Sequence, residues 1–479
     1  MEKEIHQIPP RIVILVTPGM GHLIPVIEFA KRLISFYPDF LVTFFIPTDG
    51  SSVKAQKKVL NSLPKFITYM FLPQVNFDDL SDDVKAETRM CLTFSRSLSS
   101  LRVALKDIMG SSRVVALVVD SFGTDAFDVA KELDLPHYIF ITSSAMWLAF
   151  LLELPKLDAI YSGEYKDMPE PLKLPGCVPL HGIDFVDPCQ DRMNEAYKWL
   201  LHLSKRHSYA DGILVNSSID IEPGCLKVLQ DGNPDTPPVY AVGPLIRTCD
   251  DANSEETDGS ECLKWLDGQP LGSVLFVSFG SGGTLSNEQL TELAIGLEMS
   301  EQRFLWVVKS PSDTAANATY FSAHSVKDPF GFLPKGFLER TKGIGLVVSS
   351  WAPQIQILSH GSTGGFLMHC GWNSTLESIV HGVPLIGWPL YAEQKMNAVM
   401  LYDMKIALKP KFDVNGLVRR EDIAQVVKTL MDGEEGMKVR NKIEELKCAA
   451  VAVLRENGSS TKSLCKVALK WKNHNYKYQ

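Results

Sequence analysis

Residues 11–16, RIVILV, are apolar and β-branched, and the following PGMGHLIPVIEFAKRL carries two glycines and then apolar positions at helical spacing. This pattern predicts a strand, a tight turn and an amphipathic helix. GSVLFVSFGSGGTLSNEQLTELAIGLEMS repeats the order from residue 272, so each half of the chain opens with the same device. Further short apolar runs continue the alternation: LVTFFIP, VVALVVD, YIFIT and GILVN in the first half, RFLWVV, GLVVS, GFLMH and PLIGW in the second. Strands alternating with helical patterns predict an α/β chain with parallel sheets, here two doubly wound ones.

The polar, acidic stretch RTCDDANSEETDGSECLKWLD follows the turn signal Val242-Gly243-Pro244 and separates the two series. It predicts an N-terminal domain over 1–248, a linker over 249–262 and a C-terminal domain over 263–479. The last helical pattern, TKSLCKVALKWKNH, is expected to pack back on the N-terminal domain. A second polar segment, residues 310–328, is long enough for a surface loop beside a site.

Composition narrows the function. A chain of 479 residues exceeds what one core usually serves. A net charge of −8, with Lys and Arg scattered, leaves no electrostatic footprint for nucleic acid. MEKEIHQIPPR has acidic residues and prolines where a secretory leader has a basic region. The longest membrane candidate, AMWLAFLL, stops at Glu153, far short of a span, so no transmembrane segment is predicted. Nine widely spaced cysteines without a Cys-x-x-Cys pair read as reduced thiols, and a cytoplasmic, monomeric protein is expected. Sequons at Asn216, Asn317, Asn373 and Asn457 are taken as chance, because a glycan on Asn373 would obstruct the turn that contains it.

Candidate chemistry sits where strands end. In Pro18-Gly19-Met20-Gly21-His22 a dinucleotide fingerprint fails, because its third glycine position is Ile24. His22 falls at the carboxyl end of the first parallel strand, where open α/β sheets keep ligands, and an imidazole suits proton abstraction near neutral pH. A structural histidine at a helix start is the other reading. Asp120 closes VVALVVD, again at a strand end, and either caps the next helix or orients His22 as a base whose cation needs a carboxylate. Phe122 and Leu151, with Met146, Trp147 and Phe150, offer apolar surface near Asp120 in sequence; each serves an acceptor pocket or the core. The turn Gly280-Ser281-Gly282-Gly283-Thr284 lacks a P-loop ending and is either an anion cradle or a plain turn. In FLMHCGWNSTLES, residues 366–378, a Gly/Asn/Ser-rich junction into a helix exposes unpaired N–H groups at the positive end of the helix dipole, a ready anion site.

The longer stretch from Trp351 to Gln394, WAPQIQILSHGSTGGFLMHCGWNSTLESIVHGVPLIGWPLYAEQ, resembles the donor-binding signature of the plant secondary-product UDP-glycosyltransferases from its first residue to its last. PGMGHLIPVIEFAKRL, VVDSFGTDAFDVA, SFGSGGTLSNEQL and EQRFLWVV extend the resemblance over essentially the whole chain, within the subgroup of hydroquinone and monolignol glucosyltransferases. The resemblance implies two Rossmann-like domains facing across a cleft, the GT-B arrangement, with the acceptor on the first and the nucleotide sugar on the second. It makes Trp351, with Ala352 beside it, the platform for uracil, and gives Gln354 and Glu377 to the ribose. His369, Gly371, Asn373, Ser374 and Ser281 would hold the diphosphate, and Trp372, Glu393 and Gln394 would face glucose. The family more often has Asp at the position of Glu393, although this subgroup shares the Glu. The implied activity is inverting transfer of glucose from UDP-glucose, a co-substrate, to a small phenolic acceptor, with His22 as base and Asp120 behind it. No cofactor is expected, and with no Asp-x-Asp in the chain no metal is suggested. The competing readings are a nicotinamide-dependent oxidoreductase, weakened by Ile24, and a non-catalytic sugar-nucleotide sensor, opposed by the His22 and Asp120 pair.

Overall fold

A computed structural model describes residues 8–51, 53–81, 84–232, 236–248, 260–314, 316–317 and 329–474. Most of the predicted linker, residues 249–259, and much of the predicted polar loop, residues 315 and 318–328, lie outside the described residues.

Seven parallel strands form the first sheet: β1 (Pro10–Leu15), β2 (Leu41–Ile46), β3 (Ile67–Phe71), β4 (Arg113–Asp120), β5 (His137–Ile141), β6 (Gly212–Val215) and β7 (Val239–Ala241), in the order β3-β2-β1-β4-β5-β6-β7. The central strands are buried on both faces, as their unbroken apolar runs require; Ile12, Val13, Ile14 and residues 114–119 are essentially inaccessible. The chain winds outward from β1 in one direction and, after crossing over, from β4 in the other. Their connections therefore leave on opposite faces, and a crevice opens at the carboxyl ends of β1 and β4.

The second sheet repeats this plan with β8 (Val274–Ser278), β9 (Arg303–Val308), β10 (Gly345–Ser349), β11 (Thr363–Met368), β12 (Leu385–Gly387) and β13 (Ala407–Leu408), ordered β10-β9-β8-β11-β12-β13. Its crevice lies between β8 and β11. The fold is thus two Rossmann-like units, and each carries a glycine-bearing turn after its first strand.

The helix Met20–Phe36 buries Leu23, Val26, Ile27, Ala30 and Leu33 against the first sheet, three or four residues apart. Gly19 caps it at φ 129°, a backbone angle that L side chains rarely adopt. The closing helix, Ser459–Lys472, lies on the first sheet rather than the second: Trp471 packs edge-on against Phe29 and Tyr138, with ring centroids 6.3 and 5.2 Å away. Arg32 donates to the Leu454 carbonyl at 2.6 Å and to Thr461 Oγ1 at 2.5 Å, fastening that end of the chain to the first helix. Among the described residues no helix is long and apolar enough to cross a membrane, and the eight described cysteines are all free.

Candidate active site

At the first crevice, His22 and Asp120 meet. Asp120 ends β4 with its side chain fully buried, and its Oδ2 accepts from His22 Nδ1 at 3.1 Å and from the Thr17 N–H at 2.8 Å. Oδ1 accepts from the Phe122 N–H at 3.1 Å. Three donors thus converge on one buried carboxylate, which satisfies it as an anion. Asp120 is therefore not the cap of the next helix, Ala126–Glu132, which begins beyond its reach. The His22 side chain keeps 18% of its surface exposed, and Nε2 has no hydrogen-bond partner among the described residues. With Nδ1–H donating to Asp120, Nε2 is left as the bare, basic nitrogen.

At the second crevice, the Gly280 turn and His369 touch. Gly280 has φ +73°, and a Cβ there would come within 2.5 Å of the His369 ring; one on Gly371 would be equally close. Both positions need glycine for close approach. His369 is buried and its Nδ1 has no partner among the described residues. Burial, reinforced by the positive charge of Lys309, lowers its pKa to about 4, so the ring is neutral at physiological pH. The helix Trp372–His381 starts after Gly371 with no side-chain cap. Neither Asn373 nor Ser374 caps it, so its first N–H groups remain available to a ligand. Ser281, by contrast, lies exposed on the turn.

Beside this crevice, Trp351 is 49% exposed, and the next residue, Ala352, is buried. Gln354 Nε2 donates to Glu377 Oε2 at 2.6 Å and to Ser374 Oγ at 2.9 Å, joining three of the sequence-identified residues in one network. Burial pushes the Glu377 carboxyl up to about 7, opposed by the Gln354 hydrogen bond and the charge of Arg247.

The two crevices face each other. Asn373 Nδ2 donates to the Gly21 carbonyl at 2.9 Å, one residue before His22. That carbonyl is free for a reason legible in the chain: Pro25, four residues on, has no N–H to give it. Trp372 is buried and its Nε1–H donates to the Asn216 carbonyl at 2.7 Å, so its polar atom ties the domains together instead of pointing at an open cleft. Glu393 Oε1 accepts from Ser143 Oγ at 2.8 Å, and Gln394 Oε1 accepts from the Leu390 and Tyr391 N–H groups at 2.9 and 3.0 Å. Phe122 lies edge-on to His22, ring centroids 5.6 Å apart. Leu151 is 0% exposed and belongs to the core, so it offers no open surface to an acceptor; its helix, Ala145–Ile160, is apolar on nearly every side.

Residues 244–443 match the family model described as UDP-glucoronosyl and UDP-glucosyl transferase. A hydroquinone glucosyltransferase of Rauvolfia serpentina is 60% identical over 465 residues, 97% of this chain and 98% of that protein. The chain belongs to the plant UDP-glycosyltransferases. UDP-glycosyltransferase 72B1 of Arabidopsis thaliana is 58% identical over 467 residues, covering 97% of each chain. The structure of Phytolacca americana UGT2 complexed with UDP-2fluoro-glucose and pterostilbene matches with a TM-score of 0.89 at 56% identity, over 97% of this chain and 100% of that one. The nicotinamide reading ends here.

In this UDP-glycosyltransferase the sequence left several site groups unread. Thr142 Oγ1 stands 3.5 Å from His22 Nδ1, Ser143 holds Glu393, and Asp187 Oδ2 accepts from the Ala392 N–H at 2.9 Å. None lies in a motif; for Thr142 and Ser143 the signal is only that polar residues end and follow the apolar run YIFIT, at a third strand end of the first sheet, and Asp187, far from it in the chain, has none. Among the described residues no group of three or more His, Cys, Asp and Glu is placed to hold a metal ion.

The raised Glu377 gives a stability prediction. Its folded pKa of about 7 exceeds the ordinary 4.5, so the protonated form is favoured by folding and that advantage is lost as pH rises between these values. Glu377→Gln is expected to raise the melting temperature of the unliganded enzyme at pH 8 by about 2 °C, with no gain at pH 4. Thermal unfolding at the two pH values checks this; a gain confined to pH 4 would reverse the assignment.

Proposed function

We propose that this enzyme transfers glucose from UDP-glucose to the hydroxyl of a small phenolic acceptor, with inversion at the anomeric carbon. The observation that carries the reading is the Asn373 to Gly21 hydrogen bond, which joins the start of the anion-binding helix to the residue before His22. A donor whose diphosphate rested on that helix start would hold its sugar beside Nε2 of His22. The names of the relatives, a hydroquinone glucosyltransferase and an enzyme crystallised with a fluorinated UDP-glucose and the phenol pterostilbene, support the donor and the acceptor class.

In this mechanism Nε2 of His22 takes the proton of the phenol as its oxygen attacks the anomeric carbon. Asp120 holds Nδ1–H and stabilises the imidazolium that forms. The carbon–oxygen bond to UDP breaks on the opposite face, giving a β-glucoside. Negative charge grows on the diphosphate, where the uncapped N–H groups at 372–374 and the neutral His369 accept it without reorganising. Trp351 stacks the uracil, Glu377 accepts from the ribose hydroxyls through a carboxylate that Gln354 orients, and Glu393 with Gln394 bonds the hexose hydroxyls. Phe122 supplies an aromatic edge to a flat acceptor.

The test is incubation with UDP-glucose and a panel that includes hydroquinone and a lignin alcohol, read by mass spectrometry and proton NMR. A β-glucoside, shown by a diaxial coupling at the anomeric proton, is expected. An α-glucoside would overturn inversion, and UDP-glucose left intact across the panel would overturn the acceptor class.

A further inference from the structure

Lys309 follows β9, which the sheet order places between β8 and β10. It therefore stands between the glycine turn after β8 and the Trp351 platform after β10, and the Ser350 N–H on that side bonds the neighbouring Val308 carbonyl at 2.9 Å. Its Nζ donates to the Gly280 carbonyl at 2.5 Å and also to the Ser281 carbonyl. Its wall of the turn is shared with the apolar Phe279, Leu285 and Trp306. Among the described residues no carboxylate pairs with this ammonium. Burial lowers its pKa to about 8, and its charge is felt at His369 across the turn.

A half-buried cation without a counter-anion is unfavourable, and two carbonyl dipoles compensate it only partly. The arrangement has a geometric consequence. In a trans peptide the N–H points away from the C=O of the same unit. With the Gly280 and Ser281 carbonyls held on Nζ, the N–H groups of Ser281 and Gly282 point to the opposite side of the turn, and neither has a partner among the described residues. Gly280, at φ +73°, lies against the His369 ring, whose Nδ1 also has no partner among the described residues.

We infer that Lys309 is a positioning residue for the donor diphosphate: it pins the glycine turn so that the Ser281 and Gly282 amides present to the phosphates, and its charge balances theirs. This rests on the UDP-glucose reading above. It adds a cation to the helix N–H groups and the neutral His369 ring already assigned to the diphosphate.

Calorimetric binding of UDP and of uridine, which lacks phosphate, separates a role at the diphosphate from a packing role. Lys309→Met is expected to weaken UDP binding about 10-fold while leaving uridine affinity unchanged, and Lys309→Arg to restore most of the loss. Lys309→Gln, which keeps a donor for the carbonyls without the charge, gives the same comparison should the methionine variant not fold. Equal weakening of UDP and uridine would reduce Lys309 to a packing role and overturn the inference, as would an unchanged UDP affinity. Wild-type enzyme that bound uridine as tightly as UDP would remove the diphosphate site and this inference with it, whereas glucosyl transfer with an unaffected Lys309→Met variant would overturn the inference alone.

Discussion

Replacing His22 with alanine is expected to lower kcat for transfer to hydroquinone by about 10²- to 10⁴-fold while UDP affinity stays near its wild-type value. The reasoning is local. His22 stands on the first domain, with Nδ1 committed to Asp120 and Nε2 without a partner among the described residues, whereas the candidate donor groups stand on the second. Removing the ring takes away the only proton acceptor assigned to the phenol and disturbs no assigned contact to the nucleotide. A nitrophenol that is already ionised at the assay pH should lose much less, because its proton is gone before it binds. Steady-state kinetics with both acceptors check the pair. Equal losses would show that the ring positions the acceptor rather than deprotonating it.

The Asp120→Asn variant should fall by about 10³-fold in kcat, for a different reason. Asp120 now accepts from three donors, His22 Nδ1, the Thr17 N–H and the Phe122 N–H. An amide has one carbonyl oxygen, so either orientation turns its NH₂ toward at least one of those donors. If the NH₂ faces His22, Nδ1 must become the acceptor, and the proton moves to Nε2, where the phenol needs a base. If it faces Phe122, the tautomer is kept but a buried N–H is left unpaired, costing about 1–3 kcal/mol. Nitrogen-15 NMR of the imidazole distinguishes the outcomes. Wild-type turnover with an Nε2–H tautomer would contradict the role given to Nε2.

Much of this site could be read from the chain because two crossover folds announce themselves at strand ends. The runs RIVILV and VVALVVD become β1 and β4, and His22, in the first turn of the helix after β1, meets Asp120, which closes β4, because those strands are neighbours. The same logic brings the Gly280 turn and His369 together after β8 and β11. Short edge strands left weaker traces. In β3, ITYMF, one face is exposed and the apolar signal is halved, while β7 and β13 have three and two residues, too few for a period to show.

What no local pattern could reveal is pairing across the cleft. Ser143 and Glu393 are 250 residues apart, and Asn373 and Gly21 are 352 apart. Trp372 illustrates the limit: its neighbours in sequence point to a donor site, yet its indole N–H is spent on Asn216 of the other domain. Leu151 shows the opposite ambiguity, since a helix apolar on nearly every side gives no sign of which face is open. Lys309 carries no motif at all, and its meaning comes from the two carbonyls it holds.

A crystal structure with UDP-2-fluoro-glucose and hydroquinone bound tests the central claim most directly. The account requires a phenol oxygen about 3 Å from Nε2 of His22 and in line with the anomeric carbon on the face opposite UDP. A phenol bound with its hydroxyl turned away from His22, while the sugar occupies the second crevice, would contradict it.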